Sequence, residues 1–192
     1  AEVMRGDAVP ARGVLPPGMP GHRPELPSLS AGEIPALKEE YFLSAQLDAE
    51  LFKALKSALS AHKVKLVAAG DKPASLVQHG WIADYPDPDN FLRVLLHSAS
   101  GGTLNYGGYS NPEFDRLVTQ ARRMSADLEQ GTRMDLYQQA EDLVLADMPW
   151  LFLWHQSNVI AVNSRVEGLR TCANDNSGYL ELPQTTLRLK AE

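Results

Sequence analysis

The sequence contains a single cysteine, Cys172, which excludes a disulfide within the chain and any CxxC motif for zinc binding or redox chemistry. Long hydrophobic runs are also missing, since the apolar stretch from Met148 to Trp154 is far shorter than the roughly 20 residues that cross a bilayer. The first residues, Ala1-Glu2-Val3, show neither the basic nor the apolar region of a secretion signal. We therefore expect any such signal to have been removed or to lie outside this sequence.

Positive charge is sparse, with 18 lysines and arginines against 24 acidic residues and a net charge of -6. Apart from the adjacent Arg122 and Arg123, the basic residues are scattered singly, so no basic stripe is available to neutralise a phosphate backbone, and nucleic acid is not predicted as a partner. The five histidines show no pair at metal-ligand spacing, so neither a metal nor a cofactor is predicted. A nucleophile elbow, a phosphate loop and a dinucleotide fingerprint are likewise missing, and no enzyme is predicted.

A length of 192 residues with 44% hydrophobic residues is typical of one folded domain with its own core. Prolines and glycines concentrate between about Pro10 and Pro35, which predicts an extended arm with turns rather than helix or central strand. After the arm, Tyr41–Ala45 and Val64–Ala68 are strand-like. The segment between them predicts a helix capped by Asp48, with apolar residues on one face. Such a βαβ unit has parallel strands and indicates the α/β class.

The second half of the chain alternates further predicted helices and strands. We expect a strand ending at Trp81–Asp84, a loop over Tyr85–Asn90 in which two prolines forbid helix, and a short helix from Phe91. A capping-box spacing at Ser110–Glu113 begins the next helix. Further predicted elements are a long helix over Leu128–Ala146, strands at Trp150–Trp154 and Val159–Val162, and an extended end over Leu180–Leu189.

Four separate stretches together resemble one known family, in its order. They are the proline-rich passage, the aspartate-rich signature, the block after the glycine-rich loop and the final helix end: Gly13–Gly21, Trp81–Leu92, Tyr109–Asp115 and Met148–Leu153. The chain is identified by this resemblance as a member of the peptide/nickel-type (oligopeptide/dipeptide, family 5) extracytoplasmic solute-binding proteins of ABC transporters. Members have additional residues before the arm, so the resemblance implies a fragment carrying the C-terminal lobe.

The resemblance implies a fold and a cellular role. The expected fold is an α/β lobe of the periplasmic-binding-protein type II kind, with a mixed sheet and flanking helices. Residues 1–38 would form the connecting arm, 39–178 the ligand-binding lobe, and 179–192 an extended return segment. A periplasmic location, an ABC permease at the membrane, and a peptide or other small solute as ligand are implied as well. This scaffold takes peptides, metal chelates, opines and sugars, so the sequence does not fix the ligand.

The predicted ligand site centres on Asp84. A peptide's free amino group needs a carboxylate when a cleft closes over it, and Asp84 stands where peptide-binding members place that residue. Trp81 resembles a position that packs on ligand side chains, and Tyr85 and Tyr106 are candidates for further contacts. The alternative for each is structural: Asp84 capping a turn, Trp81 in the core, the tyrosines on the surface. For Asp87 and Asp89, turn chemistry is a better account than calcium, because an EF-hand needs a glycine and a glutamate that are missing.

Two other functions are compatible with the residues alone. One is an α/β hydrolase or transferase using Asp84 and a histidine such as His155 as acid and base, which would show pH-dependent turnover abolished by Asp84→Asn. The other is an interaction module whose cleft is unused, which would bind no small solute near Trp81.

Overall fold

The computed structural model describes residues 8–26, 40–43, 49–71, 73–100, 104–125, 128–157, 163–168 and 188–189. They belong to two compact units: the first comprises Val3–Leu29 with Ile82–Glu192, and the second comprises Ser30–Trp81. The helices are α1 (Ala49–Ser60), α2 (Leu92–Leu96), α3 (Pro112–Arg123) and α4 (Gln130–Asp147). The strands are β1 (Ala8–Pro10), β2 (Glu40–Leu43), β3 (Lys65–Ala68), β4 (Trp154–Gln156), β5 (Val166–Glu167) and β6 (Arg188–Leu189).

The second unit is the predicted βαβ element. Strands β2 and β3 pair in parallel, with Tyr41 opposite Leu66, and α1 connects them. A parallel bridge between Leu43 and Leu76 extends this pairing, and the Ser75 hydroxyl accepts a 2.7 Å hydrogen bond from the Phe42 amide. The parallel strands and their helical crossover confirm the α/β class.

The first unit is built around three helices. Its core consists of apolar side chains that α2, α3 and α4 bury, with the largest from α3 and α4: Leu92, Leu95, Leu96, Phe114, Leu117, Val118, Ala121, Leu136, Tyr137, Ala140, Val144 and Leu145. Because these positions recur at three- and four-residue spacing, each helix presents one apolar face to the others. None of the helices in the described ranges is long and apolar enough to cross a membrane.

The proline-rich segment is fastened to α4 through its backbone. The amides of Val14 and Leu15 donate to Glu141 Oε1 at 3.0 and 3.2 Å, and Arg23 donates to Glu141 Oε2 at 3.1 Å. Glu141 is 1% exposed. A Cβ on Gly13 would lie 2.7 Å from Glu141 Oε1, so any other residue at this position would require the Glu141 carboxylate to shift. The described part of the predicted arm therefore contributes to the fold of the first unit.

Two short antiparallel pairs complete the described strands. Strand β1 pairs with β4, with Val9 opposite His155, and β5 pairs with β6. The predicted strand at Trp150–Trp154 is thus shifted to Trp154–Gln156, because the ladder with β1 begins at Trp154. The residues of the predicted strand Val159–Val162, of the segment 180–187, Asp48 and Cys172 lie outside the described residues.

Three local predictions are wrong. No strand forms at Trp81–Asp84, where the Asp84 amide donates to the Asn90 side chain instead of to a strand. The loop that was expected to exclude helix contains a single 3-10 turn at Pro88–Asn90, because proline is tolerated at the first position of a helical turn. The cap of α3 is Asn111 rather than Ser110, and its Oδ1 accepts from the amides of Glu113 and Phe114.

Candidate functional site

The segment Asp84–Asn90, called here the aspartate loop, carries three carboxylates that the structure treats differently. Asp89 is 5% exposed, the Asp87 side chain is 25% exposed, and Asp84 is exposed to solvent. The first two are engaged by cationic side chains within the first unit. The loop therefore separates carboxylates that hold its shape from one that is available to a ligand.

Asp89 is the most strongly bound of the three. Arg93 donates to both of its oxygens, from Nε to Oδ1 at 2.6 Å and from a terminal nitrogen to Oδ2 at 2.8 Å. The Tyr85 hydroxyl adds a third hydrogen bond to Oδ2 at 2.7 Å. Burial alone would raise the pKa of Asp89, but the hydrogen bonds from Arg93 and Tyr85 outweigh it and lower the pKa below its ordinary value. Asp89 is therefore a charged structural residue that joins the loop to α2.

Asp87 joins the same loop to α4. Its Oδ1 accepts from the Asp89 amide at 2.9 Å and from Arg133 at 2.7 Å. Arg133 lies on α4 and also donates to the Tyr137 hydroxyl at 3.3 Å and, through Nε, to the last turn of α3 at the carbonyl of Ala121. Burial alone would lower the pKa of Arg133, but the hydrogen bond to Asp87 and the charge interactions with Tyr137, Asp87 and Asp89 together raise it, so the guanidinium stays charged. One arginine thus fixes the loop, α3 and α4 together.

Asp84 is fastened by its backbone and leaves its side chain exposed. Its amide donates to Asn90 Oδ1 at 3.2 Å, and Asn90 is 1% exposed. The carboxylate of Asp84 makes no hydrogen bond or ion pair within the part of the chain that the structure describes. The capping role that was the structural alternative for Asp84 is filled by Asp87, which caps the 3-10 turn. Asp84 therefore has a fixed backbone amide and an exposed carboxylate that has no partner among the described residues.

The other predicted site residues lie in different settings. Tyr85 belongs to the aspartate loop and is 39% exposed, while burial of the rest of the ring raises the pKa of its hydroxyl. Tyr106 is 61% exposed in another turn of the first unit. Trp81 belongs to the second unit, half-buried, with its ring 6.5 Å from that of His79. The structure thus places Asp84, Tyr85 and Tyr106 in one unit and Trp81 in the other.

The turn that carries Tyr106 is closed by a second buried asparagine. Asn105 is 2% exposed, its Nδ2 donates to the carbonyl of Tyr109 at 2.7 Å, and its Oδ1 accepts from the Tyr109 amide at 3.0 Å. The Tyr109 hydroxyl in turn donates to Asp147 at the end of α4. Asp84 and Tyr106 are therefore both exposed on turns whose backbone a buried asparagine holds.

Comparison with known proteins gives a consistent relationship. No family model matches, but the chain is 37% identical over 89 residues to heme-binding protein A of Haemophilus influenzae, covering 46% of this chain and 16% of that protein. It is 31% identical over 96 residues to the peptide transport periplasmic protein SapA of the same organism, covering 50% and 16%. The chain therefore spans about a sixth of the length of these curated relatives.

Solved structures show the same fold. The ABC transporter-associated periplasmic binding protein DppA of Helicobacter pylori, in complex with the peptide STSA, superimposes with a TM-score of 0.67. The two are 22% identical, and the match covers 87% of this chain and 37% of the other. The chain is therefore similar in sequence and in fold to a part of the peptide-type periplasmic binding proteins. Its fold is that of a part of a periplasmic binding protein, as the four sequence stretches indicated.

The residues that sequence reasoning missed are structural. Arg133, Arg93, Asn105 and Glu141 carry no motif of their own, and Asn90 stood out only as one position of the aspartate-rich signature. The available signal was periodicity: Arg133 and Glu141 fall among the buried positions of α4, so a charge on an apolar face indicated a buried partner. The same helix buries Leu145, whereas Leu143 is half-buried.

The catalytic alternative gains no support from these comparisons, because the relatives are solute-binding proteins. Burial lowers the pKa of His155 to about 4, with a smaller contribution from His22, so this histidine is neutral at physiological pH. Within the described residues, no group of three or more His, Cys, Asp or Glu side chains is arranged to hold a metal ion. The turn role predicted for Asp87 is confirmed by its bond to the Asp89 amide.

Proposed function

We propose that the protein is the extracytoplasmic substrate-binding component of an ABC importer and that it binds peptides with a free amino terminus. The exposed Asp84 carboxylate, presented on a loop that two ion-paired aspartates hold, one buried and one half-buried, is the observation that carries the proposal. Asp84 would pair with the ligand's ammonium group, and Tyr85 and Tyr106 would contact the peptide. Trp81 would pack on a ligand side chain.

A carboxylate that is not already paired with a protein cation is well suited to bind a ligand's ammonium group. A ligand ammonium group that leaves water loses its hydration and requires a fixed counter-charge. A carboxylate already committed to a protein cation would have to break that pair, as Asp89 would with Arg93. Asp84 has no such commitment in the described residues, and its backbone is already fixed, so little ordering is required when the ligand arrives.

The wider assignment follows from the relatives. One is named for peptide transport in the periplasm, and another is described as associated with an ABC transporter and holds a peptide. We therefore propose a periplasmic location, a membrane permease as partner, and reversible binding with no bond made or broken. The division into an arm (1–38), a ligand-binding lobe (39–178) and a return segment (179–192) is part of the same proposal.

The test is a binding measurement on the protein at its natural length. Isothermal titration with a dipeptide and tripeptide mixture, with the same peptides acetylated at the amino terminus, and with haem would be compared for the parent and Asp84→Asn. We expect the free peptides to bind and Asp84→Asn to weaken them by at least about 30-fold, as loss of one partner of a desolvated charge pair does.

Asp135→Asn is the matched control, because Asp135 is another exposed aspartate of the first unit, on α4. It should leave affinity within about twofold of the parent, in line with its exposure. Equal affinity for free and acetylated peptides would refute the amine-binding role of Asp84. Binding of haem with no binding of any peptide would overturn the peptide class.

A further inference from the structure

We propose that Asn90 is a positioning residue for ligand binding, acting through Asp84; the inference rests on the function proposed above. Asn90 does not face the ligand, since it is 1% exposed. Its side-chain oxygen accepts the Asp84 amide across the base of the aspartate loop. That bond sets the direction in which the Asp84 side chain leaves the loop.

The position of Asn90 in the loop makes it suited to this task. It is the last residue of the 3-10 turn and directly precedes Phe91 and α2, so its own backbone is fixed by the helix start. Pro88 and Asp89, which directly precede Asn90, are buried as well. The far end of the loop is therefore rigid, and Asn90 transmits that rigidity to the near end at Asp84.

The ion pairs of the loop engage other positions within the described residues. Arg93 and Tyr85 bond to Asp89, and Arg133 bonds to Asp87, while the Asn90 side chain also interacts with Tyr85. Those contacts fix the middle and the far end of the loop, whereas the Asn90 acceptor restrains the Asp84 backbone directly. A side chain of the same volume without an acceptor would fill the site yet release the Asp84 amide. Since binding strength depends on a fixed charge at the right place, a misplaced carboxylate loses affinity without any loss of charge.

A double-mutant cycle tests this inference. Kd for a free-amino dipeptide and the melting temperature are measured for the parent, Asp84→Asn, Asn90→Leu and the double variant. Leucine is close to asparagine in size but cannot accept a hydrogen bond. We expect Asn90→Leu to weaken binding about tenfold in the parent and less than about twofold when Asp84 is already replaced, as for residues that act through one another.

Asn105→Leu supplies the matched control, because Asn105 is equally buried but restrains the turn at Tyr106. It should lower the melting temperature like Asn90→Leu, yet its effect on Kd should be the same in the parent and in the Asp84→Asn background. A variant that only lowers stability should change Kd by the same factor in both backgrounds. A change in Kd that depends on Asp84 for Asn90→Leu, but not for Asn105→Leu, would therefore separate positioning from destabilisation.

The outcomes also separate this inference from the proposed function. If Asp84→Asn weakens binding and Asn90→Leu weakens it equally in both backgrounds, Asn90 is structural only, and the amine-binding role stands. If Asp84→Asn leaves Kd unchanged, the proposed function fails first, and the positioning role fails with it. If Asn90→Leu does not fold, Asn90→Ala, which also lacks an acceptor and adds no bulk, replaces it, and equal effects on Kd in the two backgrounds would overturn the inference.

Discussion

Helix α4 holds two segments of the first unit with buried charges of opposite sign, and the two attachments differ in kind. Arg133 binds the aspartate loop through a side chain, Asp87. Glu141, further along the helix, binds the proline-rich segment through the backbone amides of Val14 and Leu15. A backbone attachment is independent of the side chains at those positions, whereas the loop attachment requires an aspartate. The segment that presents the proposed ligand residue is thus the one whose attachment to α4 depends on a particular side chain.

The largest expected effect breaks the backbone attachment. Glu141→Ala would leave the amides of Val14 and Leu15 and the guanidinium of Arg23 without their buried acceptor. Removing one partner of a buried charge pair typically costs about 3–5 kcal/mol of unfolding free energy. Urea denaturation followed by circular dichroism would measure the loss.

Glu141→Gln is the comparison variant for that measurement, since its side-chain oxygen still accepts from the two amides. It should lose clearly less stability than Glu141→Ala. A loss for Glu141→Ala below about 1 kcal/mol, the level of one ordinary hydrogen bond, would show that the proline-rich segment is held by other contacts.

A smaller effect is expected when the loop attachment is broken. Arg133→Met keeps the apolar stem but removes the bonds to Asp87 and to the carbonyl of Ala121. Because the Asp87 side chain is 25% exposed, water can solvate the freed carboxylate, and we expect a loss of about 1–3 kcal/mol. Arg133→Lys should fall between the parent and Arg133→Met. A larger loss for Arg133→Met than for Glu141→Ala would reverse the comparison.

The smallest expected effect is a pH dependence of stability that differs between the proline-rich region and the aspartate loop. His155 lies on β4, opposite Val9 at the start of the proline-rich region, and burial lowers its pKa to about 4. The unfolded chain binds this proton near pH 6.5, so stability is complete above that pH and falls as the pH drops towards 4. The lowered pKa of Asp89 affects stability in a more acidic range. Its contribution to the free energy of unfolding is complete above its ordinary pKa and is lost as the pH falls below that value.

Melting temperatures between pH 7.5 and 4.5 would show this difference. The parent should lose a few degrees across that range, and His155→Gln, which cannot be protonated, should lose less. Parallel curves for the two proteins would assign the acid sensitivity to other groups.

Local sequence pattern was sufficient where short-range forces decide the structure. The βαβ unit, the apolar faces of α3 and α4, and the turn role of Asp87 follow from spacing that the chain itself displays. The expected strand at Trp81–Asp84 failed because the Asp84 amide is bonded by Asn90, a side chain that spacing rules do not consider. The partners of Arg133 and Glu141 are far away in sequence, so the helical period indicated burial without naming Asp87 or Val14.

For the candidate site, the sequence indicated the aspartate loop but did not show which of its three aspartates form ion pairs within the protein. Asp84, Asp87 and Asp89 are chemically identical residues, and only the contacts with Arg93 and Arg133 show which two are occupied. The roles of Asp84, Trp81, Tyr85 and Tyr106 as ligand contacts remain predictions.

Several residues of the aspartate loop are buried or ion-paired within the protein, and this affects how proteins are classified by sequence. Pro88, Asp89 and Asn90 are buried, and Asp87 is tied to a helix, so most of the letters in this short signature record how the scaffold is assembled. A genome search with the whole signature would therefore collect proteins of common architecture whatever they carry. Sorting them by cargo requires the outward positions, here Asp84 and Tyr85, to be weighed apart from the rest.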